Sequence, residues 1–174
     1  MTRRRRLAFG LGLALAIVVV DQISKWWIVE RVMQPPRVIP ITPFFNLVMG
    51  WNRGVSFGML NSDQAAAAWV LSALALAIVV VLLVWMARDD RTICTAALGS
   101  VIGGALGNVI DRARFGAVAD FLDFHAFGYH WPAFNAADTA ISLGALALLA
   151  DALFARPDLP KNRVPNDTGG TPGS

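Results

Sequence analysis

Five aspartates of this sequence lie within or beside strongly apolar stretches: Asp21, Asp111, Asp120, Asp123 and Asp138. An ionised carboxylate inside a membrane segment costs about 3 kcal/mol on insertion scales, so an unpaired acid in such surroundings usually marks a functional site. Two neighbouring carboxylates that share one proton can supply a general base and a general acid together. The aspartates therefore predict a functional site, and a close pair of them could supply the acid and the base that amide hydrolysis needs when no nucleophilic side chain or metal takes part.

Two of the five aspartates have a cation close by in the sequence. Asp21 precedes Lys25 by four residues, which places both side chains on one face of a helix. Asp111 adjoins Arg112. We expect these two acids to be neutralised by their partners. From spacing alone, Asp21 and Lys25 could be an interfacial pair, with Lys25 extending toward the membrane surface, or could lie beside a site.

We predict that two of the other three aspartates, Asp120 and Asp138, face each other and that Asp123 points away from them. Asp123 follows Asp120 by three residues, so the two lie on different faces if the segment is extended. Asp138 lies about one helical turn, roughly 5 Å, inside an apolar stretch. Asp120 and Asp138 lack a sequence-local cation. We predict that these two, called the reacting pair below, share the proton.

Other chemistry remains open. Asp120, Asp123, His125 and His130 could bind a metal and make the chain a metal-dependent membrane hydrolase, although no HExxH-like helical pair is present. Cys94 is a poor candidate nucleophile, because we expect it at the opposite membrane face from both histidines. The mechanism that we predict for the reacting pair uses no metal and no cofactor.

A small ion or proton conductor is the alternative outside the enzymes. Acids on several helices would then form a relay across the membrane. The residues of such a relay would be Asp21, Asp111, Arg112 and Asp138. They all lie near one membrane edge, and no acid lies at the middle of an apolar stretch, so the sequence favours hydrolysis over conduction.

The composition is that of an integral membrane protein. Hydrophobic residues make up 56% of the chain and charged residues 16%, against about 25% charged residues in soluble domains. With about 20 residues needed per span, the 174 residues allow four spans and no second domain. We predict an all-α membrane domain over residues 1–155, with spans near 7–29, 65–87, 92–112 and 134–155.

The third and fourth spans carry the small and polar residues that would assemble the site. Gly99, Gly103 and Gly107 repeat every four residues, a spacing that lets helix backbones approach closely in lipid. The polar residues at the outer ends of these spans are Asn108, Asp111, Arg112, Asn135 and Asp138. We expect the third helix to be buried in the bundle and to present its polar end to the reacting pair.

The segments between the spans are predicted from their breakers and charges. Prolines interrupt residues 30–64 and leave short β-leaning pieces, and residues 113–133 form a second, aromatic outer segment. Basic residues concentrate on the other side, which predicts that both termini are cytoplasmic and that the site lies at the outer face. They form no patch interleaved with aromatic residues, so no nucleic acid is expected. The tail, residues 156–174, is predicted to be disordered and cytoplasmic.

Five short blocks contain most of these polar residues: Asp21-Gln22-Ile23-Ser24-Lys25, Asn52-Arg53-Gly54-Val55-Ser56-Phe57-Gly58, Gly103-Gly104-Ala105-Leu106-Gly107-Asn108-Val109-Ile110-Asp111-Arg112, Val118-Ala119-Asp120-Phe121 and Phe134-Asn135-Ala136-Ala137-Asp138. In their order and topology, the blocks resemble the bacterial lipoprotein signal peptidase (signal peptidase II) family. The resemblance covers most of the chain from Asp21 to Ile141.

The resemblance implies a fold and an activity. The fold would be four transmembrane helices with a small extracytoplasmic β-cradle in residues 30–64 and a short extracytoplasmic helix after Arg112. The chain would be an aspartic endopeptidase of the bacterial cytoplasmic (inner) membrane. It would remove signal peptides from diacylglyceryl-modified prolipoproteins, cutting before the lipidated cysteine. Its partners would be these prolipoproteins and membrane lipid.

The resemblance also implies roles for individual residues, carried over where the motifs match. Asp120 and Asp138 would be the catalytic residues. The residues that would bind substrate or support the site are Asp21, Lys25, Asn52, Gly54, Asn108, Asp111, Arg112 and Asn135.

Overall fold

Four long helices form the body of the protein in a computed structural model, which describes residues 1–54 and 64–154. The helices are α1 (Arg3–Trp27), α2 (Gln64–Arg88), α3 (Thr92–Phe115) and α4 (Ala136–Phe154). One π-helical stretch, Ile28–Val32, extends α1. All four helices are long and apolar enough to cross a membrane, which confirms the predicted architecture. The predicted disordered tail lies outside the described residues.

The glycines of α3 are where neighbouring helices make their closest approach. A Cβ atom at Gly99 would lie 2.6 Å from the carbonyl oxygen of Gly10, and one at Gly103 would lie 2.6 Å from that of Ala14. On another face, a Cβ atom at Gly104 would collide with the carbonyl oxygen of Ala137. Because α1 and α4 both touch the backbone of α3, the expectation that α3 is buried in the bundle is confirmed.

Four strands form one small antiparallel sheet. They are β1 (Ile39–Thr42), β2 (Phe45–Asn52), β3 (Val118–Ala126) and β4 (Tyr129–His130), in the order β1-β2-β3-β4. In the β2–β3 pairing, Gly50 lies opposite Asp120 and Asn46 lies opposite Asp123. Pro35 and Pro36 precede the β1–β2 hairpin, Pro40 lies within β1 and Pro43 lies in the turn. The second connecting segment completes the sheet.

The short helix that was expected after Arg112 is not formed. Instead α3 continues to Phe115, and Gly116 ends it in the left-handed conformation with a φ of 68°, which glycine adopts without steric cost. Residues 118–126 then pair with β2. Valine and phenylalanine in this stretch fit a pleated, half-buried surface. The edge of β2 supplies hydrogen-bond partners for the backbone of this stretch in its extended form.

The sheet packs against the end of α1. Ile28, Met33 and Phe121 are buried together, and Ile39 and Leu47 of the β1–β2 hairpin pack against them. This contact fixes β3 beside the polar ends of α1 and α3. As a result, Asp120 on β3 is brought to the same end of the bundle as Asp138 on α4.

Candidate active site

A buried ammonium group lies between two of the predicted supporting aspartates. The Nζ atom of Lys25 is 2.8 Å from Asp21 Oδ2 and 2.9 Å from Asp111 Oδ2, and it donates a hydrogen bond of 3.1 Å to Asn108 Oδ1. Asp21, Lys25 and Asp111 are all at most 3% exposed. We call these three residues the lysine triad. It joins α1 to α3 through charges that are removed from solvent.

The lysine triad also holds the backbone next to the reacting pair. Asp21 accepts a hydrogen bond from the backbone N–H of Ala137 at 2.9 Å, and Asp111 accepts one from that of Ala119 at 3.1 Å. Ala137 and Ala119 each directly precede a member of the reacting pair. Each aspartate of the triad therefore fixes the chain at the residue before one predicted catalytic side chain.

Gln22 belongs to this network, although the sequence analysis did not assign it to the site. Its Nε2 donates to Asp111 Oδ1 at 2.9 Å, to the carbonyl oxygen of Gly107 at 3.2 Å and to Asp21 Oδ2 at 3.2 Å. Its position gave the signal, because an amide side chain inside an apolar span needs buried partners. Gln22 caps the lysine triad.

Asp138 is held by the start of its own helix. Asn135, which precedes α4, accepts a hydrogen bond from the backbone N–H of Asp138 at 3.0 Å, and Asp138 Oδ2 accepts one from the N–H of Asn135 at 3.3 Å. This reciprocal arrangement is a capping box. The other carboxylate oxygen, Oδ1, accepts a hydrogen bond of 2.7 Å from Asn108 Nδ2. The side chain is thereby fixed at both oxygens while it remains partly exposed.

Asparagine amides connect Asp138 to Asp120. Asn135 Nδ2 donates to Asp120 Oδ1 at 2.7 Å and lies 3.4 Å from Asn108 Oδ1. Asn135 thus contacts both members of the reacting pair, and Asn108 contacts Asp138. The structure brings the two carboxylates to one site through neutral donors.

The environment of Asp120 favours its protonated form. Burial raises the pKa of Asp120 to about 6, and the negative charge of Asp138 contributes in the same direction. Hydrogen bonds from Asn52 and Asn135 act in the opposite direction and limit the rise. Asp120 sits on β3, outside the spanning helices, and is 3% exposed. A carboxyl group in this state can carry a proton near neutral pH.

Arg112 faces the reacting pair and not its sequence neighbour. Its charge interacts with Asp138 more than with Asp111, and Asp111 pairs with Lys25. The pairing of Asp111 with Arg112 expected from the sequence is therefore wrong, because adjacent residues on a helix point in different directions. The Nε atom of Arg112 is buried and has no hydrogen-bond partner among the described residues. This donor is available to a bound molecule.

Asn52 and Gly54 lie at the end of β2. The Oδ1 atom of Asn52 accepts a hydrogen bond of 2.8 Å from the backbone N–H of Gly54, and Gly54 has a φ of 78°. Asn52 reaches Asp120 with its side chain, whereas Gly54 is exposed and serves the turn. The rest of this block, residues 55–58, lies outside the described residues.

Asp123 lies on the other face of β3, as the spacing predicted. It accepts hydrogen bonds from Asn46 at 3.0 Å and from His130 at 2.9 Å. Burial raises its pKa, but these hydrogen bonds outweigh burial and bring the pKa below its ordinary value. A metal site built from Asp120, Asp123, His125 and His130 is therefore not assembled, because the strand directs Asp120 away from the other three.

Two open grooves lie along α4, one lined by Asp138 and the other beside it. One has a volume of ≈ 410 Å³ and includes Phe134, Asp138 and Ser142 in its lining. The other, of ≈ 420 Å³, is mostly apolar and runs between α1 and α4, where Ile17, Val20 and Ala140 contribute to it. Thr139 and Leu143 line both grooves. A molecule with a polar backbone and long apolar chains fits this pair of grooves.

The sequence matches a family of known peptidases. The family model described as signal peptidase (SPase) II matches residues 13–154. The chain is 43% identical over 164 residues to the lipoprotein signal peptidase of Methylorubrum extorquens, covering 92% of this chain and 94% of that protein. It is 42% identical over 156 residues to the lipoprotein signal peptidase of Nitrobacter hamburgensis, covering 87% and 95%.

Two solved structures share the fold. A bacterial membrane enzyme determined by the in meso method at 1.9 Å resolution has a TM-score of 0.73 and 28% sequence identity, covering 86% of this chain and 95% of that chain. A second, determined at 2.3 Å resolution, has a TM-score of 0.71 and 27% identity, covering 88% and 95%.

Proposed function

Since the chain belongs to the signal peptidase II family and is a membrane peptidase that removes signal peptides from prolipoproteins, we propose that it cuts as an aspartic endopeptidase. The reacting pair, Asp120 and Asp138, performs the reaction. The observation that carries this proposal is the position of Asn135, which donates to both carboxylates at 2.7 and 3.3 Å. It links the two acids through neutral N–H donors, while the charge of Arg112 interacts with both.

The two acids take different roles because their surroundings differ. Asp120, whose pKa is raised to about 6, supplies the proton, and the partly exposed Asp138 acts as the base. Asp138 takes a proton from water, and the water oxygen bonds to the scissile carbonyl carbon. Asp120 gives its proton to the amide nitrogen, and the carbon–nitrogen bond breaks. The products are an acid and an amine, and the pair again shares one proton.

The other polar groups of the site position substrate and charge. Arg112 has an Nε–H beside Asp138 with no hydrogen-bond partner among the described residues, and it donates to a substrate carbonyl or steadies the Asp138 carboxylate. Asn108 and Asn135 fix the two carboxylates, and a hydrogen bond from Asn52 lowers the pKa of Asp120. The lysine triad does not react, because the oxygens of its two acids are occupied by Lys25, Gln22 and the backbone N–H groups of Ala119 and Ala137.

The grooves fit a lipidated substrate. The signal peptide backbone passes Asp138 in the groove of ≈ 410 Å³, and the acyl chains of a diacylglyceryl cysteine lie in the apolar groove between α1 and α4. The cut then falls just before the lipidated cysteine. The apolar groove faces outward from the bundle, so the acyl chains and bilayer lipid share one surface.

A cleavage assay on the purified protein tests the proposal. A lipidated prolipoprotein peptide should be cut by the wild type, while Asp120→Asn and Asp138→Asn should each lose at least about a thousandfold in rate, the upper range for acid–base groups. Asp123→Asn is the matched control on the opposite face of β3 and should keep most activity. If both reacting-pair variants still cleave, the aspartic mechanism is wrong.

We place the protein in the bacterial cytoplasmic membrane with both termini inside and the reacting pair at the outer face. The support is the distribution of basic residues: Arg3, Arg4, Arg5 and Arg6 precede α1, and Arg88 and Arg91 border the α2–α3 turn. An impermeant thiol reagent on intact cells should label Tyr129→Cys, at the exposed hairpin, and miss Asp90→Cys, at an exposed position of the α2–α3 turn. Labelling of Asp90→Cys alone would reverse the orientation, and the native Cys94 does not interfere because it is buried.

A further inference from the structure

Three side chains with metal-binding atoms lie together on the sheet face that the reaction does not use. Asp123 and His125 are two residues apart on β3, so they point to the same side of the strand. His130 on β4 pairs directly with His125. The hairpin thus places one carboxylate and two imidazoles in a compact group, with no part in the mechanism proposed above.

The distances in this group are short. Nδ1 of His130 is 2.9 Å from each carboxylate oxygen of Asp123, and the rings of His125 and His130 stack with centroids 4.8 Å apart. One ligand atom from each of the three residues can be chosen so that all lie within 4.8 Å of one another. Donor atoms around a tetrahedral Zn²⁺ ion, bound at about 2.0–2.1 Å, are separated by about 3.3 Å. The two stacked rings must rotate so that one nitrogen of each points to a common centre, and this would close the group around an ion.

The surroundings hold the group in place and leave it open to solvent. Asn46 on β2 donates to Asp123 at 3.0 Å, as an outer partner of a ligating carboxylate does, and its Nδ2 lies 3.3 Å from Nδ1 of His125. Asp123 is buried, whereas the side chain of His130 is 56% exposed. An ion can reach the group from solvent, and water can complete its coordination.

We propose that Asp123, His125 and His130 bind one divalent transition-metal ion, with Zn²⁺ as the representative. Two imidazoles and one carboxylate suit Zn²⁺, Cu²⁺ or Ni²⁺, whereas Mg²⁺ and Ca²⁺ prefer all-oxygen sites. The ion takes the place of the proton between His130 and Asp123. It ties β4 to β3 and leaves the reacting pair, on the other strand face, unchanged.

Zinc binding to the full-length protein in detergent tests this directly. The purification tag must lack histidine, because the chain has only two histidines and both belong to the proposed site. Equilibrium dialysis should find one Zn²⁺ per chain. His130→Gln should weaken binding at least tenfold, and the variant with both His125→Gln and His130→Gln should bind no zinc. A wild type that binds no zinc, or a double variant that binds it equally, would overturn the proposal.

Controls separate this site from the reaction and from misfolding. Asp120→Asn removes a carboxylate from the opposite face of β3 and should bind zinc as the wild type does, whereas Asp123→Asn should not. The double histidine variant should cleave the peptide at the wild-type rate in EDTA, which also shows that it is folded. Co²⁺ bound to the wild type should show no thiolate charge-transfer band. Such a band would place the ion at Cys94 and contradict the proposal.

Discussion

Two groups of aspartates lie at the same end of the helix bundle, and they differ in how their charge is balanced. Asp21 and Asp111 share the ammonium of Lys25 at 2.8 and 2.9 Å. Asp120 and Asp138 are held instead by the neutral amides of Asn135 and Asn108. Asp21 and Asp111 are thus fixed as structural links between helices, whereas the pKa of Asp120 is raised to about 6, so this carboxyl can gain and lose a proton near neutral pH.

The strongest test of this contrast is the double variant of the reacting pair. If Asp120 and Asp138 act as one unit, Asp120→Asn alone already removes nearly all catalysis, at least about a thousandfold. Adding Asp138→Asn should then change little. Single-turnover cleavage rates of the three variants give the comparison. Losses that multiply in the double variant would mean that the two carboxylates act independently.

The lysine triad should respond in stability where the reacting pair responds in rate. Lys25→Met leaves two buried carboxylates without their cation, and breaking a buried pair in this way costs about 3–5 kcal/mol of unfolding free energy. Denaturant unfolding in detergent measures the change.

Two variants are the controls for that measurement. Arg37→Met removes an exposed cation and should shift the unfolding free energy by no more than about 0.5 kcal/mol. Asp138→Asn should be nearly as stable as the wild type. Equal stability of Lys25→Met and Arg37→Met would show that the triad is not a structural element.

Arg112 tests the boundary between the two groups. Arg112→Lys keeps the positive charge but loses the Nε–H donor and the planar fork. A charge-assisted hydrogen bond contributes about 1.5–3 kcal/mol, so the cleavage rate should fall about ten- to a hundredfold. The unfolding free energy should stay close to that of the wild type. Full activity in this variant would show that Arg112 does not contribute to the reaction and has only a structural role in the helix bundle.

The pH dependence gives the smallest and most specific effect. Because the folded-state pKa of Asp120 lies at about 6, above its ordinary value of 3.8, its proton is lost as the pH rises through 6. A plot of kcat/KM against pH should therefore fall on its alkaline side near this pH. Because the two carboxyl groups interact, the apparent pKa of that fall describes the pair and not Asp120 alone. Asn52→Ala removes a hydrogen bond that lowers this pKa, so the limb should move to higher pH.

The raised pKa of Asp120 also makes the unfolding free energy depend on pH. The folded protein binds the Asp120 proton more tightly than the unfolded chain does, so the contribution of this group to stability is present below pH 3.8 and is lost as the pH rises through about 6. Asp120→Asn should remove that part of the pH dependence. An unfolding curve that keeps the same pH slope in the variant would assign the slope to other groups.

The sequence predicted the spans and the reacting pair for a clear physical reason. Apolar stretches of sufficient length and acids without a nearby cation are both visible in the linear order of residues. The opposite directions of Asp120 and Asp123 also followed from the two-residue period of a strand. These predictions needed no knowledge of which helices touch.

Other features depend on contacts between elements and could not be predicted from the sequence in the same way. Asp111 pairs with Lys25 on another helix and not with the adjacent Arg112, because a helix turns its neighbours apart. Gln22 was left out of the site since its three acceptors come from two helices. The residues after Arg112 for which a helix is expected form strand β3 instead, because their backbone groups hydrogen-bond to the edge of β2.

The glycine contacts of α3 have a consequence for the register of the bundle. Gly99 and Gly103 meet Gly10 and Ala14 of α1, and both series repeat every four residues. A slip of α1 along α3 by one turn, about 5.4 Å, could set Gly10 against Gly103 and Ala14 against Gly107, but it would also bring the larger Arg6 against Gly99. The slip would move Lys25 away from Asp111 and leave buried charges unmatched. Glycine packing and the lysine triad therefore both select the observed alignment of these two helices, one by shape and the other by charge.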